Sequence, residues 1–260
     1  MNETFSKRHG FKPAEKEITV RHSAPDELRF VIVDIAYKSG FRPKTLRPIV
    51  CSTLNKRPNQ NNWSEFPNIN DEIHELLDSC EWYQVYDVIE NIYRVTSIPE
   101  KFEENINSYF KAEGIGWQLI NGIIEVRGEE GFESAVKKAS SVIKESDLIT
   151  ASNEIHEAIL DLSRRPDPDI TGAVQHAMAA LECVARETCG DQRATLGDIL
   201  KKYEGLIPKP LDTAIEKAWG YASEMGRHLR EGRTPTFEEA ELIVGVCASM
   251  SVYLLKKGNN

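Results

Sequence analysis

The chain lacks any run of about 20 consecutive apolar residues, so nothing in it reads as a membrane span. Its polar N-terminus also lacks the apolar core of a secretory signal. Its five cysteines (Cys51, Cys80, Cys183, Cys189 and Cys247) are odd in number and scattered, with no Cys-x-x-Cys pair. That argues against a zinc site or a disulfide framework, and fits reduced thiols in a cytoplasmic protein. There is no phosphate-cradling Gly-x-x-x-x-Gly-Lys loop, no His-Glu-x-x-His and no Gly-x-Ser-x-Gly. Gly114-x-Gly116 is too short for a dinucleotide fingerprint. No internal repeat or low-complexity segment is visible.

What is present describes a globular protein. The 260 residues, 40% hydrophobic and 28% charged, are enough for two domains with separate cores. The net charge of −9 opposes non-specific nucleic-acid binding by the molecule as a whole. The charge is unevenly spread. Residues 1–60 carry 12 basic against 6 acidic residues, residues 61–148 carry 7 against 18, and residues 149–260 carry 13 against 17. A basic first segment beside an acidic middle fits either a polyanion-facing surface or two complementary faces packed together.

The hydrophobic pattern predicts a mainly α protein of two helical domains, divided near 148–150 into residues 1–148 and 149–260. In the first, Ser23-Ala-Pro-Asp26 reads as a capping-box-like start for a helix ending near Gly40. Pro43 opens another, and the turn-rich stretch 56–63 is a loop. Helices follow at 70–78, 82–93 and 99–113; Val85, Ile89, Ile92 and Tyr93 recur at helical spacing. Trp63, Trp82 and Tyr83 are expected to pack. Asn121-Gly122 between β-branched residues signals a small β-hairpin at about 115–127, because the favoured turn needs positive φ at both central positions. A helix at 132–144 closes this domain. The second domain reads as a helical bundle. One long helix is capped by Asp167 and opened by Pro168, and the last follows a capping box at Thr236 and Glu239.

The residues with most chemistry lie between Tyr221 and Arg233, where Arg227 and His228 stand side by side and Arg230 and Arg233 follow. Arginine offers phosphate a permanent, forked cation, and histidine moves protons near neutral pH. A solvated basic helix end would have the same composition. Lys7 and Arg8, next to His9 and Phe11, could meet a phosphate backbone or form a plain basic tail. Glu182 stands among apolar residues and would need a partner if buried, for which an arginine of the 227–233 segment is a candidate; a solvated carboxylate is the alternative. His156 and His176, within helices, are expected to pack or to face solvent.

Phe5-Ser-Lys-Arg-His-Gly-Phe11, Asn62-Trp-Ser-Glu-Phe-Pro-Asn68 and Cys80-Glu-Trp-Tyr-Gln-Val-Tyr-Asp-Val-Ile-Glu90 resemble the N-terminal domain, type four, of AbiJ abortive-infection proteins, over roughly residues 1–145. Residues 151–258 resemble a HEPN-like domain, through His176-Ala-Met-Ala-Ala-Leu-Glu-Cys-Val-Ala-Arg186, Thr195-Leu-Gly-Asp-Ile-Leu200 and Ser223-Glu-Met-Gly-Arg-His228. The resemblance implies bacterial defence against phage. For the second domain it implies a dimeric helical bundle of the kind that often cleaves RNA without metal or cofactor, through an arginine and a histidine from each protomer. Arg227 and His228 would be the catalytic pair, with Arg230, Arg233, Lys7 and Arg8 binding RNA. A protein partner would bind through the N-terminal domain. The chain departs from the family pattern, which separates arginine from histidine by four to six residues. Neighbouring helical side chains point about 100° apart. A non-catalytic, dimeric RNA- or protein-binding sensor is therefore the competing expectation.

Overall fold

The structure is a computed structural model describing residues 8–9, 16–203, 205–227 and 235–258, with side chains for all of these except 225–227. It is mainly helical, with one small antiparallel hairpin, and forms two compact units, residues 1–127 and 128–260.

In the first unit, α1 (Asp26–Lys38) begins directly after Pro25, with Asp26 and Glu27 at its positive end. No side chain caps it, so the expected capping box at Ser23 is absent; instead Leu28 N–H donates to the Pro25 carbonyl at 3.0 Å. α2 (Pro43–Thr53) opens on proline, and an irregular turn (Glu65–Ile69) leads into α3 (Asn70–Ser79). α4 (Trp82–Val95) and α5 (Pro99–Ala112) complete the helices. Val85, Ile89 and Ile92 are buried as their spacing requires, facing a core that includes Leu28, Ile73 and Phe102. Each such side chain contributes about 1.5–3 kcal/mol by leaving water. The packing expected of three aromatics is not general: Trp63 is 80% exposed and Tyr83 52%. Trp82 is half-buried, edge-on to Tyr86.

The hairpin pairs β1 (Trp117–Ile120) with β2 (Ile123–Val126), Ile120 opposite Ile123. Asn121 and Gly122 supply φ of 50° and 84° at the turn. Two strands alone are marginal, and side chains complete the ladder on both edges. Asn107 of α5 donates to the Leu119 carbonyl at 2.8 Å and accepts from its N–H at 2.7 Å, while Glu90 of α4 accepts from Ile124 N–H at 2.8 Å.

The second unit is a bundle of α6 (Glu130–Glu145), α7 (Ile149–Ser163), α8 (Ile170–Cys189), α9 (Leu196–Lys202), α10 (Leu211–Arg227) and α11 (Phe237–Gly258). α8 is central, packing against α7, α9, α10 and α11. Its buried Ala173, Ala177, Ala180 and Ala185 let neighbouring helices approach closely. α8 starts two residues later than the sequence suggests: Asp169, not Asp167, caps it, accepting from Gly172 N–H at 2.8 Å. The box at Thr236 and Glu239 is present, with Glu239 N–H donating to Thr236 Oγ1 at 3.2 Å and Thr236 N–H to Glu239 Oε2 at 2.9 Å.

The two compact units meet at 127/128, whereas the sequence suggests a division near 148. The difference is α6. It packs against α7 and α11, and its buried Ala139 and Ile143 belong to the second core.

Candidate functional site

A groove of about 350 Å³ runs between α8 and α10 in the C-terminal unit. Gln175, Met178, Ala179 and Glu182 line it from α8; Trp219, Ala222 and Ser223 line it from α10. The spacing on α8 is one helical face, i, i+3, i+4, i+7. On α10, positions 219 and 223 are one turn apart, and position 227 is the next on that stripe. α10 continues one turn past the groove lining and ends at Arg227. The Arg227 side chain, His228, Arg230, Arg233 and Lys7 lie outside the described residues. Arg8 is described and exposed.

One end of the groove is built on Glu182. The Glu182 carboxylate pairs with Arg186 on the next turn of α8, and its second oxygen accepts from Leu196 N–H at 3.0 Å, at the start of α9. Arg186 Nε donates to the Ala194 carbonyl at 2.8 Å. The Glu182 side chain is 15% exposed, so it is neither the solvated carboxylate of one expectation nor in need of a loop arginine; Arg186 is its partner. This ties the groove to α9, whose Gly197 lies against the Trp219 ring. A Cβ at 197 would sit 3.1 Å from two indole carbons, so glycine permits the close approach.

A second cluster joins α7 to α8. The carboxyl of Asp161, almost wholly buried, lies 2.9 Å from Arg164 Nη2 and 3.7 Å from His176 Nε2. His176 Nδ1 lies 2.6 Å from Glu154. Arg164 also reaches Asp169, the α8 cap, at 3.4 Å. Burial pushes the Asp161 carboxyl above its ordinary range, opposed by Arg164 and His176 and reinforced by Asp169 and Glu157. His176 of α8 stands between two carboxylates of α7, Glu154 at 2.6 Å and Asp161 at 3.7 Å, and so ties the two helices together. His156 is exposed on α7. Sequence reading misses the cluster because its members come from three separate segments; the charged run from Arg164 to Asp169 was the one local signal.

Among the described residues, no three or more His, Cys, Asp or Glu side chains are grouped to hold a metal ion. No helix among them is long and apolar enough to cross a membrane.

The model of the family AbiJ N-terminal domain 4 matches residues 3–142. The chain belongs to that family. Membership ties the chain to abortive infection, the anti-phage response. The matched stretch covers the first unit from residue 3 onward and runs into α6 of the second. No curated protein and no solved structure matches the chain.

Proposed function

We propose that the chain is an abortive-infection effector whose C-terminal unit, a HEPN-like bundle, cleaves RNA without a metal ion. The observation that carries this reading is the α8–α10 groove, lined on α10 as far as Ser223, one helical turn before the helix ends at Arg227. A single strand lying there would bring its phosphates toward the Arg227–His228 corner. Arg227 meets the developing phosphate charge and His228 takes the proton of the ribose 2′-hydroxyl. The 2′-oxygen bonds to phosphorus as the 5′-oxygen departs and is protonated, leaving a 2′,3′-cyclic phosphate and a 5′-hydroxyl. Arg230 and Arg233 hold the backbone there, and Lys7 and Arg8 of the first unit are a separate RNA contact.

The reading includes a homodimer, supported by α11. Leu242, 66% exposed, Gly245, Val246 and Ser249 form a partly uncovered stripe at i, i+3, i+4, i+7, beside Phe132 and Ala135 of α6. Two small residues four apart let a second helix approach closely.

The adjacency of Arg227 and His228 favours a second reading, a dimeric sensor or adaptor that binds RNA or protein without cutting. Purified protein incubated with total RNA in EDTA separates the two. Cleavage lost in both Arg227→Ala and His228→Ala, with melting unchanged, supports the enzyme. RNA binding without cleavage supports the adaptor, and absence of both overturns the RNA reading.

A further inference from the structure

The first unit carries an exposed aromatic face with charge of one sign around it. Phe30 of α1 is 62% exposed and stacks on His74 of α3, ring centres 5.4 Å apart and 18° from parallel. Tyr37, seven residues along α1 and on the same side, donates from its hydroxyl to Asn70 at 2.9 Å. Its ring meets Phe66 edge-on at 6.2 Å, and Phe66 is 60% exposed. The face therefore continues from α1 across α3 to the turn at 65–69, over about 10 Å along α1.

The turn is held firmly. Glu72, with a side chain 9% exposed, accepts from Asn59 N–H at 2.7 Å and Asn62 Nδ2 at 2.9 Å, and pairs with Arg47 at 3.2 Å. Arg47 also donates to the Asn62 carbonyl at 2.9 Å. Ile69 N–H donates to the Ser64 carbonyl, and Ser64 Oγ to that of Phe66. This buried network fixes a loop whose large side chains, Trp63 and Phe66, stand in solvent. A fixed loop that keeps such side chains out of the core is a mark of an interaction surface.

The charge on this face selects the partner. Glu27, Asp34, Glu65, Asp71, Glu75 and Asp78 lie on α1, the turn and α3, with Glu65 close enough to Tyr37 to help raise its phenol. The exposed cation on those elements is Lys38, already paired with Asp34. Nucleic acid and anionic lipid are repelled by such a surface. Aromatic faces ringed by carboxylates suit arginine and lysine side chains, whose heads stack on the rings and whose stems cover apolar surface.

We propose that this face docks a basic segment of a partner protein, with arginine or lysine interleaved with aliphatic residues. The proposal concerns the first unit alone and stands independently of the RNA-cleavage reading.

The test is calorimetric titration of the full chain with a short synthetic peptide of alternating arginine and leucine. Controls are the same peptide with glutamate for arginine, and an oligouridylate. Expected is binding of the arginine peptide alone. Phe30→Ser with Phe66→Ser should weaken it about tenfold or more, as loss of two stacked cations implies. Asp34→Asn with Glu65→Gln should weaken it similarly. Melting should stay unchanged for both variants, because the altered groups are largely exposed or weakly paired. No binding, equal binding to the aromatic variant, or equal binding of the glutamate peptide or oligouridylate overturns the proposal. So does a self-associated wild type that Phe30→Ser alone converts to monomer in sedimentation, since a second copy would then cover the face.

Discussion

Glu72 of α3 and Arg47 of α2 face each other at 3.2 Å beneath a loop that neither belongs to, and together they hold it in place. Burial works to raise the Glu72 carboxyl, but hydrogen bonds from Asn59, Asn62 and Arg47, with the Arg47 charge, outweigh it and hold the group below its usual range. A carboxyl depressed in the folded state stabilises fully above its unfolded value, about 4.3, and that contribution is lost as pH falls through the folded value.

Glu72→Ala is accordingly expected to cost about 2–4 kcal/mol, because it leaves the largely buried Arg47 without its anion and two loop donors without their acceptor. Melting followed by circular dichroism at neutral pH checks the size. The difference between variant and wild type should shrink as the solution is acidified below pH 4.

Asp161 behaves in the opposite sense. Burial raises its carboxyl, more than Arg164 and His176 lower it, so the ionised form is held at a net cost. A carboxyl raised in the folded state penalises stability most above its folded value, and the penalty disappears as pH falls below the unfolded value. Asp161→Asn should therefore be at least as stable as wild type at pH 7. Arg164 is 58% exposed and keeps Asp169, so it loses little. Any gain should vanish toward pH 4. A loss of several degrees in melting temperature at pH 7 would sink this account.

Gly122 sits at φ 84° with its α-carbon against Tyr93, and a Cβ there would lie 2.5 Å from the ring. Gly122→Ala combines left-handed strain with a clash and should cost about 1–3 kcal/mol. Asn121→Gly, at φ 50°, keeps the backbone N–H and frees a left-handed position of its Cβ, so it should cost well under about 1 kcal/mol. Comparative thermal melts of the two variants distinguish turn chemistry from a general intolerance of the hairpin.

What could be read from the sequence was local. Asn121-Gly122 announced the hairpin because the turn needs positive φ, and Thr236 with Glu239 announced a helix start because both bonds close within four residues. The helix runs were visible for the same reason, through a period that needs no knowledge of the partner. What escaped was non-local. Glu182 pairs with Arg186 within α8, but its bond to Leu196 N–H forms only when the start of α9 packs beside it. The loop that carries exposed Trp63 is anchored at Asn62 by Glu72, ten residues further on from Asn62. The cationic corner that motivated the functional reading falls, apart from the end of α10, outside the described residues.

The placement of α6 separates what is inherited together from what folds together. The AbiJ module extends to residue 142, yet α6, which spans that end, contributes Ala139 and Ile143 to the core of the bundle that follows. Grafting this module onto a different C-terminal unit would thus import one wall of the old unit's interior. Successful exchanges between such proteins should carry matched changes on the α11 surface that α6 covers, or cut the chain near Arg127 instead.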